Sequence, residues 1–161
     1  KVVMFETHTK NDFVDLASLG PEPLDNLSIE TFRKQLKLRS NGKIKTVLMD
    51  QAVIAGIGNI YSDEILWESG VNQERKTETL TKIETEKMWK MMKKILNKSI
   101  KMGGDSMSDY RNVYGEKGGF QNNHKVYRRA KEKCLLKNCG GIIVRKIIGG
   151  RSAHFCNKHQ K

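Results

Sequence analysis

The sequence predicts a mainly α-helical fold closed at its C-terminal end by a small β-hairpin metal finger. Three observations predict it. Between residues 28 and 102, apolar residues recur at helical spacing between recognisable caps and stops. Strand-type runs are confined to residues 142–148 and 151–155, apart from a short apolar run at residues 2–6. Three Cys and two His crowd together between residues 134 and 159.

Residues 2–6 are apolar enough for a short strand that starts abruptly, as if cut from a larger sheet. Residues 8–27 are acidic, rich in turn formers and hold both prolines, Pro21 and Pro23, so they read as a linker. Ser28 is the expected N-cap of a first helix with Ile29, Phe32 and Leu36 on one face, ended by Ser40-Asn41-Gly42. Residues 44–54 predict a second helix with Val47, Leu48 and Val53 inward. The glycine-rich turn Ala55-Gly56-Ile57-Gly58-Asn59 follows. Residues 60–69 predict a third helix, stopped by Gly70. The Thr81-x-x-Glu84 capping box opens a long fourth helix that ends at Gly103-Gly104. Its Ile83, Met88, Met91, Ile95 and Leu96 are expected to face a core, and Lys87, Lys90, Lys94, Lys98 and Lys101 solvent or phosphate. Residues 105–133 are irregular. The two final β-type runs are joined by Gly149-Gly150, a hairpin signal.

A chain of 161 residues is about one domain or two small modules. Its 30 Lys and Arg exceed its 18 Asp and Glu, for a net charge of +12. The first 30 residues carry −4 and residues 31–161 carry +16. Such a field attracts polyanions, because each neutralised phosphate releases condensed counterions. Charge alone does not separate DNA from RNA or an anionic membrane. No apolar run approaches the roughly 18 residues of a membrane span, and the first residues lack the layout of a signal peptide. The expectation is a soluble, non-secreted, cytoplasmic chain.

The ligand spacing is Cys134-x4-Cys139, 16 residues, then Cys156-x2-His159. Two short-spaced pairs flanking a hairpin suit tetrahedral zinc, and four protein ligands leave no open position for water, so one structural Zn2+ is expected. His154 is a rival fourth ligand. Three reduced cysteines with an unrelated His remain the bland alternative. An odd Cys count argues against a disulfide framework and for a reducing compartment. Arg151, just past the Gly-Gly turn, can project from the hairpin tip towards phosphate, or be a solvated charge on a finger edge.

The turn at Gly56-Ile57-Gly58-Asn59 allows close backbone approach, and the first amides of the following helix are a ready anion site. Gly58 and Asn59 are therefore candidate phosphate-binding residues; a plain interhelical turn with an Asn cap is the competing reading. Asp63 and Glu64 read as favourable charge near a helix N-terminus rather than as acid–base groups.

Leu48-Met49-Asp50-Gln51-Ala52-Val53-Ile54-Ala55-Gly56-Ile57-Gly58-Asn59-Ile60-Tyr61-Ser62-Asp63-Glu64 closely resembles the helix–two-turn–helix signature of the formamidopyrimidine-DNA glycosylase/endonuclease VIII family. Ser18-Leu19-Gly20-Pro21-Glu22-Pro23-Leu24 is similar to that family's interdomain linker. Gly103-Gly104-Asp105-Ser106-Met107 and Gly118-Gly119-Phe120-Gln121 are similar to the loop after its long helix. Lys125-Val126-Tyr127, Cys139-Gly140 and Gly150-Arg151-Ser152-Ala153-His154-Phe155-Cys156 are similar to its zinc finger. The match runs from about residue 16 to 161, and the loop resembles the formamidopyrimidine branch more closely.

The resemblance implies a base-excision repair enzyme that flips oxidised purines, such as 8-oxoguanine and formamidopyrimidines, out of duplex DNA, excises them and cleaves the abasic strand. It implies phosphate contacts from Asn59 and Arg151, a backbone contact from Lys45, loop closure over the base by residues 106–121, and a monomer with no membrane association. It divides the chain into a remnant of the catalytic domain (1–15), a linker (16–27), the helix–two-turn–helix domain with its loop (28–121) and the finger (122–161). Two departures stand out. The finger has an x4 first pair and a His last ligand where the family usually has four Cys. The family's nucleophile is an N-terminal Pro followed by Glu, whereas this chain begins Lys1-Val2, so no catalytic residue is expected here and the catalytic β-sandwich domain is expected to be missing. Competing readings are a stand-alone, non-catalytic DNA-binding zinc protein and an RNA- or ribosome-binding helix–two-turn–helix protein.

Overall fold

The computed structural model describes residues 18–25, 27–106, 115 and 117–161. The expected strand at residues 2–6, the remnant 1–15 and most of the loop at 106–121 lie outside the described residues.

Among the described residues, four α-helices are followed by one antiparallel hairpin: α1 (Ile29–Lys37), α2 (Ile44–Met49), α3 (Asn59–Ser69), α4 (Lys82–Lys101), β1 (Ile143–Ile148) and β2 (Arg151–Cys156). Local chemistry sets most of their ends. The Ser28 hydroxyl accepts from Thr31 N at 3.1 Å and caps α1, a contact worth about 1 kcal/mol. Thr81 and Glu84 form the complete capping box at the start of α4. Gly70 ends α3 in the left-handed region with φ 75°. Gly103 and Gly104, with φ 74° and 87°, follow the end of α4.

Two sequence expectations are corrected. First, α2 ends at Met49 rather than at residue 54. Asp50 turns extended; its carboxylate accepts from Ala52 N at 3.0 Å and from Arg39 Nε at 3.1 Å. The Gln51 amide bridges the turn, donating to Ile57 O at 3.0 Å and accepting from Gly56 N at 2.8 Å. These side-chain bonds offer the backbone an alternative to the helix. Second, Ile83 is 80% exposed; Met91 and Leu96 pack against the core as expected, and Met92, not singled out by the sequence, is fully buried beside Met88 and Ile95.

The main core joins Phe32 and Leu36 of α1, Ile44, Val47 and Leu48 of α2, Val53, Ile54 and Ile57 of the turn, Ile65 and Leu66 of α3, and Met88, Met92 and Ile95 of α4. Each such side chain is worth about 1.5–3 kcal/mol. The linker is seated on this body: Gly20 N donates to Gln51 O at 2.8 Å and Ala55 N to Pro21 O at 3.2 Å. Helix α3 packs against α2, α4 and β2 at once, so it is buried on nearly every side rather than along one stripe.

The hairpin pairs Ile143 with Cys156 through Ile148 with Arg151. Gly149 and Gly150 both have positive φ, 56° and 75°, which suits the tight turn between twisted strands. The tip rests on α2: a Cβ at Gly149 would lie 2.3 Å from Thr46 Cγ2. The C-terminus returns to the end of α3, where Asn72 N donates to Lys161 O at 2.9 Å and Lys161 N to Gly70 O at 3.0 Å. Finger and helices are thereby tied at both ends.

Candidate nucleic-acid interface and metal centre

Gly58 is the N-cap of α3, extended at φ −106°, with no side-chain cap bond and no acid in the first turn of the helix. A Cβ at Gly58 or Gly56 would meet nothing within 4 Å, so the space before the helix start is open. Its leading amides lack intrahelical acceptors and carry the positive end of the helix dipole. Asn59 is the first helical residue, not the cap, and its Oδ1 is buried without a hydrogen-bond partner among the described residues. Uncapped amides at a helix start of this kind can receive an anion.

Lys45, expected at the DNA backbone, lies beneath that turn. It is 0% exposed, and its ammonium donates to Asn59 O at 2.9 Å, Ser62 Oγ at 2.7 Å and Asp63 Oδ1. All three ammonium protons thus have acceptors. Burial pushes the Lys45 amine below its ordinary value of 10.5, against the opposing pull of the Asp63 carboxylate.

Asp63 and Glu64, expected as favourable charge near a helix N-terminus, are both buried and have specific partners. The second oxygen of Asp63 faces β2: His154 N donates to Oδ2 at 2.9 Å and His154 Nδ1 lies 3.1 Å from it. His154 is therefore tied to Asp63 and stands outside the metal cluster. Glu64 accepts three backbone amides, from Lys125 at 2.8 Å, Val126 at 3.0 Å and Tyr127 at 2.9 Å, anchoring the segment that leads into the finger. Burial pushes its carboxyl above the ordinary 4.5, against these three donors. Both acids are thus taken up by backbone donors in the interior.

Cys134, Cys139, Cys156 and His159 come together with their ligand atoms all within 4.8 Å of one another. Cys139 Sγ and Cys156 Sγ are 3.6 Å apart, and Cys134 Sγ is 3.3 Å from His159 Nδ1. The sulfurs are far beyond the roughly 2.05 Å of a disulfide. A tetrahedron with metal–sulfur bonds of about 2.3 Å has S···S edges of about 3.8 Å, so the residues fit a metal ion despite the x4 spacing. The remote nitrogen of His159, Nε2, lies 3.1 Å from Trp67 O, the outer contact that leaves Nδ1 facing the thiols.

Arg151 is exposed at the hairpin tip, next to Gly150, where an added Cβ would also meet open space. Glu74 bridges the helices and the finger, binding Lys146 at 2.6 Å and Lys43 at 3.2 Å. Those hydrogen bonds, Lys146 first, hold the Glu74 carboxyl below its ordinary value of 4.5. Ser62, Asp63, Glu64, Trp67 and His154 escape sequence reasoning as site-building residues. The one available signal was the Ser62-Asp63-Glu64 triplet set between Ile60-Tyr61 and Ile65-Leu66-Trp67.

Residues 19–111 match the family described as the formamidopyrimidine-DNA glycosylase H2TH domain. Formamidopyrimidine-DNA glycosylase of Prochlorococcus marinus (strain MIT 9215) is 42% identical over 146 residues, which are 91% of this chain and 49% of that protein. The Bacillus cereus (strain ATCC 10987) protein of the same name is 35% identical over 153 residues, 95% of this chain and 55% of that protein. Among solved structures, MutM (Fpg) of Thermus thermophilus superposes with a TM-score of 0.82 at 36% identity, over 90% of this chain and 55% of that one. Lactococcus lactis Fpg in complex with DNA containing an abasic site gives 0.80 at 36% identity, over 89% and 52%. The chain spans about half the length of the curated relatives it matches.

Proposed function

The chain belongs to the formamidopyrimidine-DNA glycosylase family, and from that premise we propose that it is the part of a base-excision repair enzyme that grips damaged duplex DNA. The observation that carries this reading is the open, uncapped start of α3 at Gly58-Asn59, on a helix that packs against the strand bearing Arg151. Asn59 and the leading amides of α3 take one phosphate near the lesion, and Arg151 takes another. Lys45 serves from below by fixing the Asn59 carbonyl, not by touching DNA. These contacts position the duplex and carry no sequence information. They help offset the few kcal/mol needed to unstack and flip a base.

The activity assigned to the whole enzyme is removal of oxidised purines, 8-oxoguanine and formamidopyrimidines, followed by cleavage of the abasic strand. The chain spans about half the length of its relatives, and on this reading these 161 residues supply the grip alone and bind abasic DNA without forming a covalent adduct. One zinc ion held by Cys134, Cys139, Cys156 and His159 is structural; when bound, it supplies folding energy to the finger and no reacting group. The protein works as a monomer, in the reducing compartment that holds the genome.

The test is equilibrium binding to an abasic-site duplex. Arg151→Ala and Asn59→Ala are each expected to weaken it about tenfold, since hydrogen bonds to charged groups are worth about 1.5–3 kcal/mol. Unchanged affinity in both variants refutes the reading. Borohydride trapping of the unmodified chain on abasic DNA is expected to yield no adduct; efficient trapping refutes the division between grip and chemistry.

A further inference from the structure

The two elements assigned to phosphate binding are far apart in sequence, yet one buried polar line joins them. It runs from the Asn59 carbonyl to Lys45 Nζ at 2.9 Å, from Lys45 to Asp63 Oδ1, and from Asp63 Oδ2 to the backbone N–H of His154 at 2.9 Å. His154 lies on β2 three residues past Arg151, and its carbonyl accepts from Gln73 Nε2 at 2.6 Å. Lys45 and Asp63 are both fully buried. The three Lys45 protons and both Asp63 oxygens are all engaged: Ser62 Oγ takes the third proton of Lys45, and His154 Nδ1 adds a second contact to Asp63 Oδ2.

A buried ion pair is an inefficient way to gain stability, because the desolvation cost offsets most of the attraction, and apolar residues of similar volume do as well or better. What it supplies is geometry, since a carboxylate with donors fixed on both oxygens tolerates little displacement. Here one side of the carboxylate holds the start of α3 and the other holds β2. We propose that Lys45, Asp63 and the His154 backbone form a positioning strut that fixes the distance between the Asn59 and Arg151 phosphate contacts. The inference rests on the proposed DNA-gripping role. Its consequence is that the two contacts act as a unit: DNA seated on one finds the other already in place.

The experiment is a double-mutant cycle between Asn59→Ala and Arg151→Ala, measured as affinity for an abasic-site duplex and repeated in the background K45M/D63L. That background removes both charges together, so no unpaired charge remains buried; melting temperature and metal content establish that it folds. In the natural background the combined loss is expected to fall short of the product of the single losses by about threefold or more. In K45M/D63L the two losses multiply, and the background itself binds more weakly. If K45M/D63L fails to fold, K45M/D63N, closer in shape to the natural pair, carries the same cycle. Coupling of equal size in the folded strut variant, or unchanged affinity in that variant, overturns the strut. Loss of effect from both Asn59→Ala and Arg151→Ala in the natural background instead overturns the DNA-gripping role itself, so the two failures are distinguishable. Simple destabilisation lowers the melting temperature without changing the coupling.

Discussion

Replacing Lys45 alone by Met separates an internal lysine from a DNA-facing one. In the structure Lys45 and Asp63 are each 0% exposed, so Lys45→Met strands a carboxylate in the interior and deprives Asn59 O and Ser62 Oγ of a donor. Removing one partner of a buried pair costs about 3–5 kcal/mol. For a chain of this size each kcal/mol lowers the melting temperature by about 2–4 °C, so the expected fall is on the order of 10 °C. Removing both partners, as in K45M/D63L, is expected to recover most of that fall. The assay is thermal unfolding followed by far-UV circular dichroism at neutral pH and fixed metal concentration. A surface lysine would shift the transition by about 1 °C or less. A Lys45→Met protein melting that close to the natural one, or a double variant no better than the single, refutes the internal placement of Lys45.

Three further outcomes follow from the same geometry. Chelation, or Cys156→Ser, is expected to release about one zinc per chain and unfold the finger; a metal-free protein with unchanged melting contradicts a structural ion. Glu64→Gln is expected to cost about 1–3 kcal/mol, because its amide NH2 must face one of the three N–H donors, and to speed hydrogen exchange at Lys125, Val126 and Tyr127; unchanged exchange there contradicts the anchor. Glu74 has a carboxyl depressed below 4.5 by Lys146 and Lys43, so its stabilising contribution is present above pH 4.5 and lost as the pH falls through its lower folded-state value. The stability gap between the natural protein and Glu74→Gln should therefore close with acid, and also with salt, since the pair is partly exposed; a gap independent of pH counts against that bridge.

Much of the frame was legible because it depends on neighbours in sequence. The Thr81-Glu84 box, the Gly70 stop, the Gly149-Gly150 hairpin and the metal quartet are all local patterns, and the structure bears each out. The errors arose where a partner is remote. Asp63 meets His154, 91 positions away, and Glu64 meets Tyr127, 63 positions away; a position read only as dipole charge becomes an interior partner once a finger packs over it. Lys45 follows Asp63 inward for the same reason. The early end of α2 is of another kind: the capping chemistry of Asp50 and Gln51 was present in the sequence, yet the apolar residues Val53 and Ile54 disguised the turn as helix. Both are buried all the same, because a turn can present apolar side chains to the core as a helix does.

The most direct test of the central claim is the salt dependence of binding by the 161-residue protein to an abasic-site duplex, compared with Arg151→Ala. Each neutralised phosphate contributes about 0.9 to the slope of log affinity against log salt. The expected result is an affinity that falls steeply with salt and a slope shallower by about one in Arg151→Ala. An affinity indifferent to salt, or an identical slope with identical affinity in the variant, would contradict an interface built to hold the DNA backbone.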